Sequence, residues 1–340
     1  MDGVIGMEQI TLRGTYSEMG AELGKLLRAN NYQPPPVAGD RIEMAKGCEQ
    51  ALEEHAPTLL EELNAMIEAG RFEKTTLKTF ELGLNPYPVF GCSIFAISGE
   101  HTTSGNMIFA RNYDWNWSFI DFLMLVRNYP KGRLASLSLS DIIIGRYGGI
   151  NEAGLAIGLT AIPGYHKKDQ PGVMLHLATR WVLDNCKTVK EAVDFMESIP
   201  HVRGNNYLVL DKSGETALIQ ACPEKVVVLQ PEDGLVVATN HFQSPEMQVF
   251  EEKPKIPVSS VSRYQTIRDW MRKQDGKVGH KQAQQVLKGR HAQGAGVCQD
   301  YIKDDVRFGT IWAWTHEAGT RSFELADACP ADVDFETYTF

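Results

Sequence analysis

The sequence predicts an α+β fold in which two packed antiparallel sheets lie between layers of helices. Three observations carry this. The segment 1–91 is dominated by apolar residues at helical spacing. From Cys92 onward, short β-branched and aromatic runs alternate with turn signals, as in antiparallel hairpins. Helical periodicity then returns in two separate blocks, an arrangement that packs as helix layers over sheets.

Taken in order, Ser17 is placed to cap a helix through "EMGAELGKLLRAN". Gly20 and Gly24, four apart, share a face that should press closely on another backbone, because helical glycine is otherwise costly. "PPP" at 34–36 ends that segment, Asp40 is placed to cap "RIEMAKGCEQALEEH", and Pro57 suits the first turn of "TLLEELNAMIEAG". The polar stretch "RFEKTTLK" reads as a connection to a turn-rich loop, 85–91. "CSIFAIS", a polar turn and "MIFARNYDW" read as a hairpin. Strands follow in "FLMLVRNYP", "LASLSLSDIII" and "GLAIGLTAI". Two helices come next, "VMLHLATRWVLDNC" and "VKEAVDFMESI", the second with Thr188 and Glu191 as a capping box. "NYLVLDKSGETALIQA" and "KVVVLQPEDGLVVATNHF" return to strands. Helices in "SVSRYQTIRDWMRK" and "HKQAQQVLKG" precede a closing hairpin, "TIWAWTHEAGTRSFELA".

The chain has 340 residues and a net charge of −9. Lysine and arginine are scattered, which argues against a nucleic-acid partner. No apolar run approaches membrane-spanning length. The N-terminus lacks the charged and apolar regions of a secretory signal. The six cysteines (Cys48, Cys92, Cys186, Cys222, Cys298 and Cys329) form no CxxC pair and no zinc-ligand spacing. A cytoplasmic protein with reduced thiols is expected, without a metal or other cofactor, and with oligomers possible.

Cys92 is set apart by its position, directly after Gly91 and at the start of a strand. A thiol reacts as thiolate, and an ordinary cysteine is mostly protonated at neutral pH. A cut between Gly91 and Cys92 would give Cys92 an α-amine with a pKa near ~8. That amine can take the thiol proton and later return it to a leaving amine. The Cys92 sulfur can make the cut itself by attacking the Gly91 carbonyl. Glycine permits the backbone geometry this needs, and Pro86 and Pro88 stiffen the approach.

Gly91-Cys92-Ser93, "ARNYDW", "INEAGLAIG", "TNHF" and "SSVSRYQTI", in this order, resemble the N-terminal-nucleophile (Ntn) cysteine hydrolases. The similarity is to the choloylglycine hydrolases with penicillin V acylases, and to the acyl-coenzyme A:6-aminopenicillanate acyltransferases. The long segment before the cysteine looks more like the acyltransferase branch. The resemblance implies an αββα sandwich and self-cleavage into a retained helical segment, 1–91, and a catalytic domain, 92–340.

The resemblance also implies site roles. Cys92 is the nucleophile, and Arg111 with Asp114 is the pair beside it. A carboxylate there can accept from the α-ammonium or thiol, and the arginine favours thiolate. Asn151 and Asn240 look like oxyanion donors, although Asn-Glu-Ala-Gly is also a natural hairpin turn. Arg263 resembles the arginine that closes the site. His241 is read as a structural or pocket residue. Trp115, Trp117 and Phe119 are candidates to line an acyl pocket.

The function expected is hydrolysis of a linear, non-peptide amide through a thioester, with an N-acyl amide or other small acyl donor as partner. Acyl-CoA-dependent N-acyl transfer at the same site is the alternative. Two further readings are an uncleaved, non-catalytic binding protein and an ordinary cysteine enzyme that pairs Cys92 with His241.

Overall fold

The structure, a computed structural model, describes residues 7–34, 36–83, 91–141, 143–290, 296–303 and 305–340. Its first element is a strand that the helical reading of the segment did not include. Ile10 and Leu12 are buried between exposed neighbours, and this period of two makes β1 (Glu8–Gly14). Helix α1 (Tyr16–Ala29) starts two residues earlier than expected. Thr15 rather than Ser17 is its cap: Glu18 N–H donates to Thr15 Oγ1 at 3.2 Å, and Thr15 N–H to Glu18 Oε2 at 2.7 Å. Ser17 turns away to bond Glu61. Two helices follow, α2 (Asp40–His55) and α3 (Pro57–Gly70), the latter beginning on Pro57. "RFEKTTLK" is not a plain connection. Glu73 accepts from the Thr75 and Thr76 N–H groups, which starts α4 (Lys74–Gly83). Gly20 and Gly24 do face a backbone: a Cβ on either would strike the Glu62 or Met66 carbonyl of α3.

The Gly-Cys junction opens β2 (Gly91–Ile97), which forms the expected hairpin with β3 (Ile108–Asn116). Strands β4 (Met124–Pro130), β5 (Ser136–Ser140), β6 (Gly148–Asn151) and β7 (Ala156–Ala161) then lead into helices α5 (Leu175–Asn185) and α6 (Val189–Ser198). Strands β8 (Asn205–Leu210), β9 (Thr216–Cys222), β10 (Lys225–Leu229) and β11 (Leu235–Ala238) follow. The short α7 (Pro245–Gln248), α8 (Val258–Arg272) and α9 (His280–Lys288) precede β12 (Asp300–Lys303), β13 (Val306–Glu317), β14 (Ser322–Ala326) and β15 (Glu336–Thr339).

Among the described residues, eight strands form one sheet in the order β1-β4-β5-β6-β7-β8-β9-β10. The other sheet runs β11-β2-β3-β13-β14-β15, with β12 on β13. All these pairings are antiparallel except one. β1 lies parallel to β4, so the expectation of purely antiparallel sheets is corrected at that edge. The inner faces meet in a core that includes Phe109, Tyr113, Trp312 and Trp314. Helices α1 to α6 pack on the outer face of the larger sheet. Helices α8 and α9 cover the smaller sheet from the other side. The layers are therefore helix, sheet, sheet, helix.

The N-terminal segment is tied to α5 by buried polar groups. Arg180 donates to Glu62 Oε2 of α3 at 3.1 Å and to Asp184 Oδ2 at 2.8 Å, and Tyr16 of α1 donates to Asp184 Oδ2 at 2.9 Å. Glu81 of α4 accepts from the Ile143 N–H at 3.1 Å. Truncating one side of such a buried pair strands the other charge, at a cost of about 3–5 kcal/mol.

Candidate active site

Strand register assembles the site. β2 and β3 pair Cys92 with Tyr113 and Gly91 with Asp114. β11 pairs with β2 so that Ala238 meets Ile94. Two residues further along each strand, Asn240 arrives opposite Cys92, and the Cys92 N–H donates to Asn240 Oδ1 at 2.8 Å. The turn carrying Asn240 is fixed from three sides. Asn240 N–H donates to Ser260 Oγ at 2.8 Å, Asn240 Nδ2 to the Ala161 carbonyl at 2.9 Å, and Asn206 Nδ2 to the Thr239 carbonyl at 3.1 Å.

Side-chain alternation divides the remaining residues between the two faces of β2 and β3. Cys92 points into the core between the sheets, as does Arg111. Arg111 Nη2 lies 3.9 Å from Cys92 Sγ, and Nη1 donates to the Tyr147 carbonyl at 2.5 Å. The guanidinium carbon sits 4.9 Å from the centre of the Trp312 ring. Gly158 and Gly148 leave the room it occupies, since a Cβ on either would lie 3.1 Å from Arg111 atoms. Burial pushes the Cys92 thiol pKa up, and Arg111 opposes that rise.

Asp114, three residues on from Arg111, lies on the opposite face. Arg111 and Asp114 therefore flank Cys92 from opposite faces of the strand, and Asp114 forms its ion pair with Arg263 of α8, 3.8 Å away. Thr310 Oγ1 donates to Asp114 Oδ1 at 2.6 Å, brought there by a register shift in β13 between Thr310 and Trp312. Burial raises the Asp114 pKa, while Arg263 and the Thr310 hydrogen bond hold it down. Its other oxygen, Oδ2, has no hydrogen-bond partner among the described residues. That oxygen faces Gly91: a Cβ there would lie 2.7 Å from it.

Arg263 is fully buried and joins these groups. It bonds the Cys92 carbonyl, donates to Ser93 Oγ at 2.9 Å, and donates through Nη2 to Asn240 Oδ1 at 2.8 Å. Burial lowers its pKa, opposed by Asp114. Five of the six residues singled out from sequence, Cys92, Arg111, Asp114, Asn240 and Arg263, thus meet around one strand end.

Asn151 does not join them. Its Nδ2 donates to the Leu183 and Cys186 carbonyls at 3.0 and 2.7 Å, and its Oδ1 accepts from the Ala153 and Leu155 N–H groups, both at 3.1 Å. The side chain is spent on closing the β6–β7 turn and anchoring the end of α5, with both amide hydrogens committed. His241 has no bond to Cys92 either. Its Nδ1 lies 2.8 Å from Ser260 Oγ, and burial, then Arg263, lower its pKa to about 4, so it is neutral near pH 7. Through Ser260 it steadies the Asn240 turn.

Ser93, Asn206, Ser260 and Thr310 were not singled out from sequence. Ser260 carries a usable signal, lying three residues before Arg263 on the same helix face. Thr310 carries none, because a bulge decides its place. Among the described residues, no group of three or more His, Cys, Asp or Glu side chains converges as a metal site. No described helix is long and apolar enough to cross a membrane.

The family model for the acyl-coenzyme A:6-aminopenicillanic acid acyl-transferases matches residues 101–329. The chain belongs to this family. As an acyl-transferase family member it has an Ntn-hydrolase αββα fold. A variant of the conjugated bile acid hydrolase from Clostridium perfringens matches it with a TM-score of 0.52 at 13% identity, over 73% of this chain and 97% of that one. Penicillin V acylase from Agrobacterium tumefaciens gives 0.45 at 18% identity, over 70% and 83%. The Caenorhabditis elegans orthologue of N-acylethanolamine-hydrolyzing acid amidase gives 0.47 at 16% identity, over 73% and 99%. No curated protein matches the sequence. The likeness of fold rests on the bile acid hydrolase.

Proposed function

We propose that this chain cuts itself between Gly91 and Cys92 and then acts as an N-terminal-cysteine amidohydrolase on a linear, non-peptide amide. The observation that carries the reading is the Cys92 backbone nitrogen, held by Asn240 Oδ1 while the thiol faces Arg111.

In the cut, the Cys92 sulfur attacks the Gly91 carbonyl and the peptide C–N bond breaks. The proton lost by the thiol goes to the departing nitrogen. Water then hydrolyses the Gly91 thioester and leaves Cys92 with a free amine. That amine stays on Asn240, on the side of Asp114 Oδ2, which takes no hydrogen bond among the described residues and is an acceptor suited to an ammonium. In turnover the amine takes the thiol proton, the thiolate attacks the amide carbon, and the proton passes to the leaving amine. Water releases the acid from the acyl-thioester. Arg111 supplies positive charge beside the sulfur, and Arg263 holds the Cys92 carbonyl and Asn240 together.

The two products of the cut are segments 1–91 and 92–340, the first retained by its buried contacts with α5. Acyl transfer from a coenzyme A thioester is the second reading, favoured by the description of the family. It uses the same thioester and replaces water with an amine.

Denaturing mass spectrometry should show the two fragments in wild-type protein and a single chain in Cys92→Ala. Efficient cleavage of Cys92→Ala in protease-free conditions would refute self-processing. A panel of N-acyl amides, N-acyl amino acids, penicillins and acyl-CoA esters, with the thioester trapped on Cys92, separates hydrolysis from transfer. A correctly cleaved protein that forms no thioester with any of them would favour a binding role.

A further inference from the structure

Cys298 and Cys329 are both buried, and their sulfurs lie 3.4 Å apart. They arrive from separate segments, one just before β12 and the other just after β14, so the fold rather than local sequence joins them. A disulfide needs ~2.05 Å between sulfurs, so the two sulfurs, already in contact, must draw closer for the bond to form.

Their surroundings differ. Arg290 Nη2 lies 2.9 Å from Cys329 Sγ, and Asp332 fixes that guanidinium with bonds of 3.0 and 2.8 Å. Asp300 stands 3.6 Å from the same nitrogen. The Arg290 side chain is partly exposed, so a cation connects the buried sulfur to solvent. On the far side, Cys298 meets the Thr310 hydroxyl, which also holds Asp114. The hydrogen bond from Cys298, joined by the Ala331 backbone N–H and the Arg290 charge, draws the Cys329 thiol down against the effect of burial, whereas the Cys298 thiol is pushed up by its neighbour and by burial. Cys48, Cys186 and Cys222 are also pushed up, each chiefly by burial.

We propose that Cys298 and Cys329 form a redox-modification site, at which hydrogen peroxide oxidises Cys329 and Cys298 closes the disulfide. The Cys329 thiolate attacks one peroxide oxygen, the O–O bond breaks, and the departing hydroxide takes up a proton as water. Cys329 is left as a sulfenic acid. The Cys298 sulfur then attacks the Cys329 sulfur, the S–O bond breaks, and the Cys298 proton leaves with the hydroxide as a second water. Two thiols are oxidised by two electrons, and one peroxide is reduced to two waters. The site lies outside the catalytic steps proposed above and does not depend on them.

The test treats reduced full-length protein with one equivalent of hydrogen peroxide at neutral pH and maps each cysteine under non-reducing conditions. A linked pair of peptides holding Cys298 and Cys329, lighter by two hydrogens, should appear before Cys48, Cys186 or Cys222 changes. In Cys298→Ser, oxidation should stop at a sulfenic acid on Cys329 that dimedone traps. In Cys329→Ser, Cys298 should stay a free thiol at the same dose. Arg290→Met should move the pH profile of Cys329 alkylation up towards the ordinary thiol value of about 8.5. Oxidation of Cys48, Cys186 or Cys222 while the pair stays reduced would overturn the proposal. So would a sulfenic acid trapped on Cys298 in place of Cys329.

Discussion

Asn240 bonds the proposed nucleophile directly, whereas Asp114 sits across the strand pair from Gly91, so their substitutions should fail differently. Asp114→Asn keeps the side chain's size but leaves Arg263 buried without its carboxylate partner and removes the acceptor facing Gly91. Turnover of the folded protein should fall at least tenfold, and the melting temperature should drop as well because the Arg263 charge is stranded, as read by steady-state rates below the transition seen in a thermal melt; wild-type turnover would reduce Asp114 to a structural ion pair. Asn240→Ala removes the acceptor of the Cys92 nitrogen and the amide that could meet an oxyanion. The chemical step should slow by about a hundredfold, the scale for losing one such donor, with a smaller change in substrate binding. Single-turnover rates on fully cleaved, folded protein check this, and an unchanged chemical rate would remove Asn240 from the site. Much of this constellation was legible in the sequence, because Gly-Cys, RNYD, TNHF and SVSRY are local words that survive without a structure. Two details were not. Three residues along a strand reverse the face, which separates Arg111 from Asp114, and an Asn-Glu-Ala-Gly turn uses its own asparagine, which spends Asn151.

Helix α4 illustrates what patterning misses at the level of elements. Its N-terminal turn is polar and exposed, whereas Leu77 to Gly83 are all buried, so no regular apolar stripe announces it. β1 was missed for a related reason: two buried residues in seven make a weak period, and strand β4 supplies the rest. The glycine face of α1 was legible because only close backbone contact explains two helical glycines four apart. α4 also predicts a pH effect. Burial raises the Glu81 pKa to about 8, against an ordinary value of 4.5. The folded state therefore binds this proton more tightly than the unfolded chain. Its contribution to stability is fully present below the ordinary value and is lost as pH rises towards 8. Glu81→Gln keeps the acceptor for Ile143 and cannot ionise. Its melting temperature should exceed that of wild type by a margin that grows from pH 5 to about 8. Parallel melting curves across that range would show that Glu81 is not the titrating group.

Across the whole molecule, the segment before Cys92 is built into the architecture and does not sit beside it. It supplies an edge strand, packs four helices on the larger sheet, and places Glu62 and Tyr16 in a buried network with Arg180 and Asp184. Fragments 1–91 and 92–340 should accordingly elute together from a native sizing column; separation without denaturant would contradict this. The parallel pairing of β1 with β4 has a consequence for the molecule's history. Before the cut, both strands belong to one chain and meet at the high local concentration that the intervening residues impose. After the proposed cut, the same contact would join two separate chains. Uncut Cys92→Ala should regain its structure from denaturant at a rate independent of protein concentration, while the processed protein should refold more slowly on dilution, with a yield that falls. The cut would thus act as a ratchet: it leaves the native contacts in place and removes the route by which they were first made.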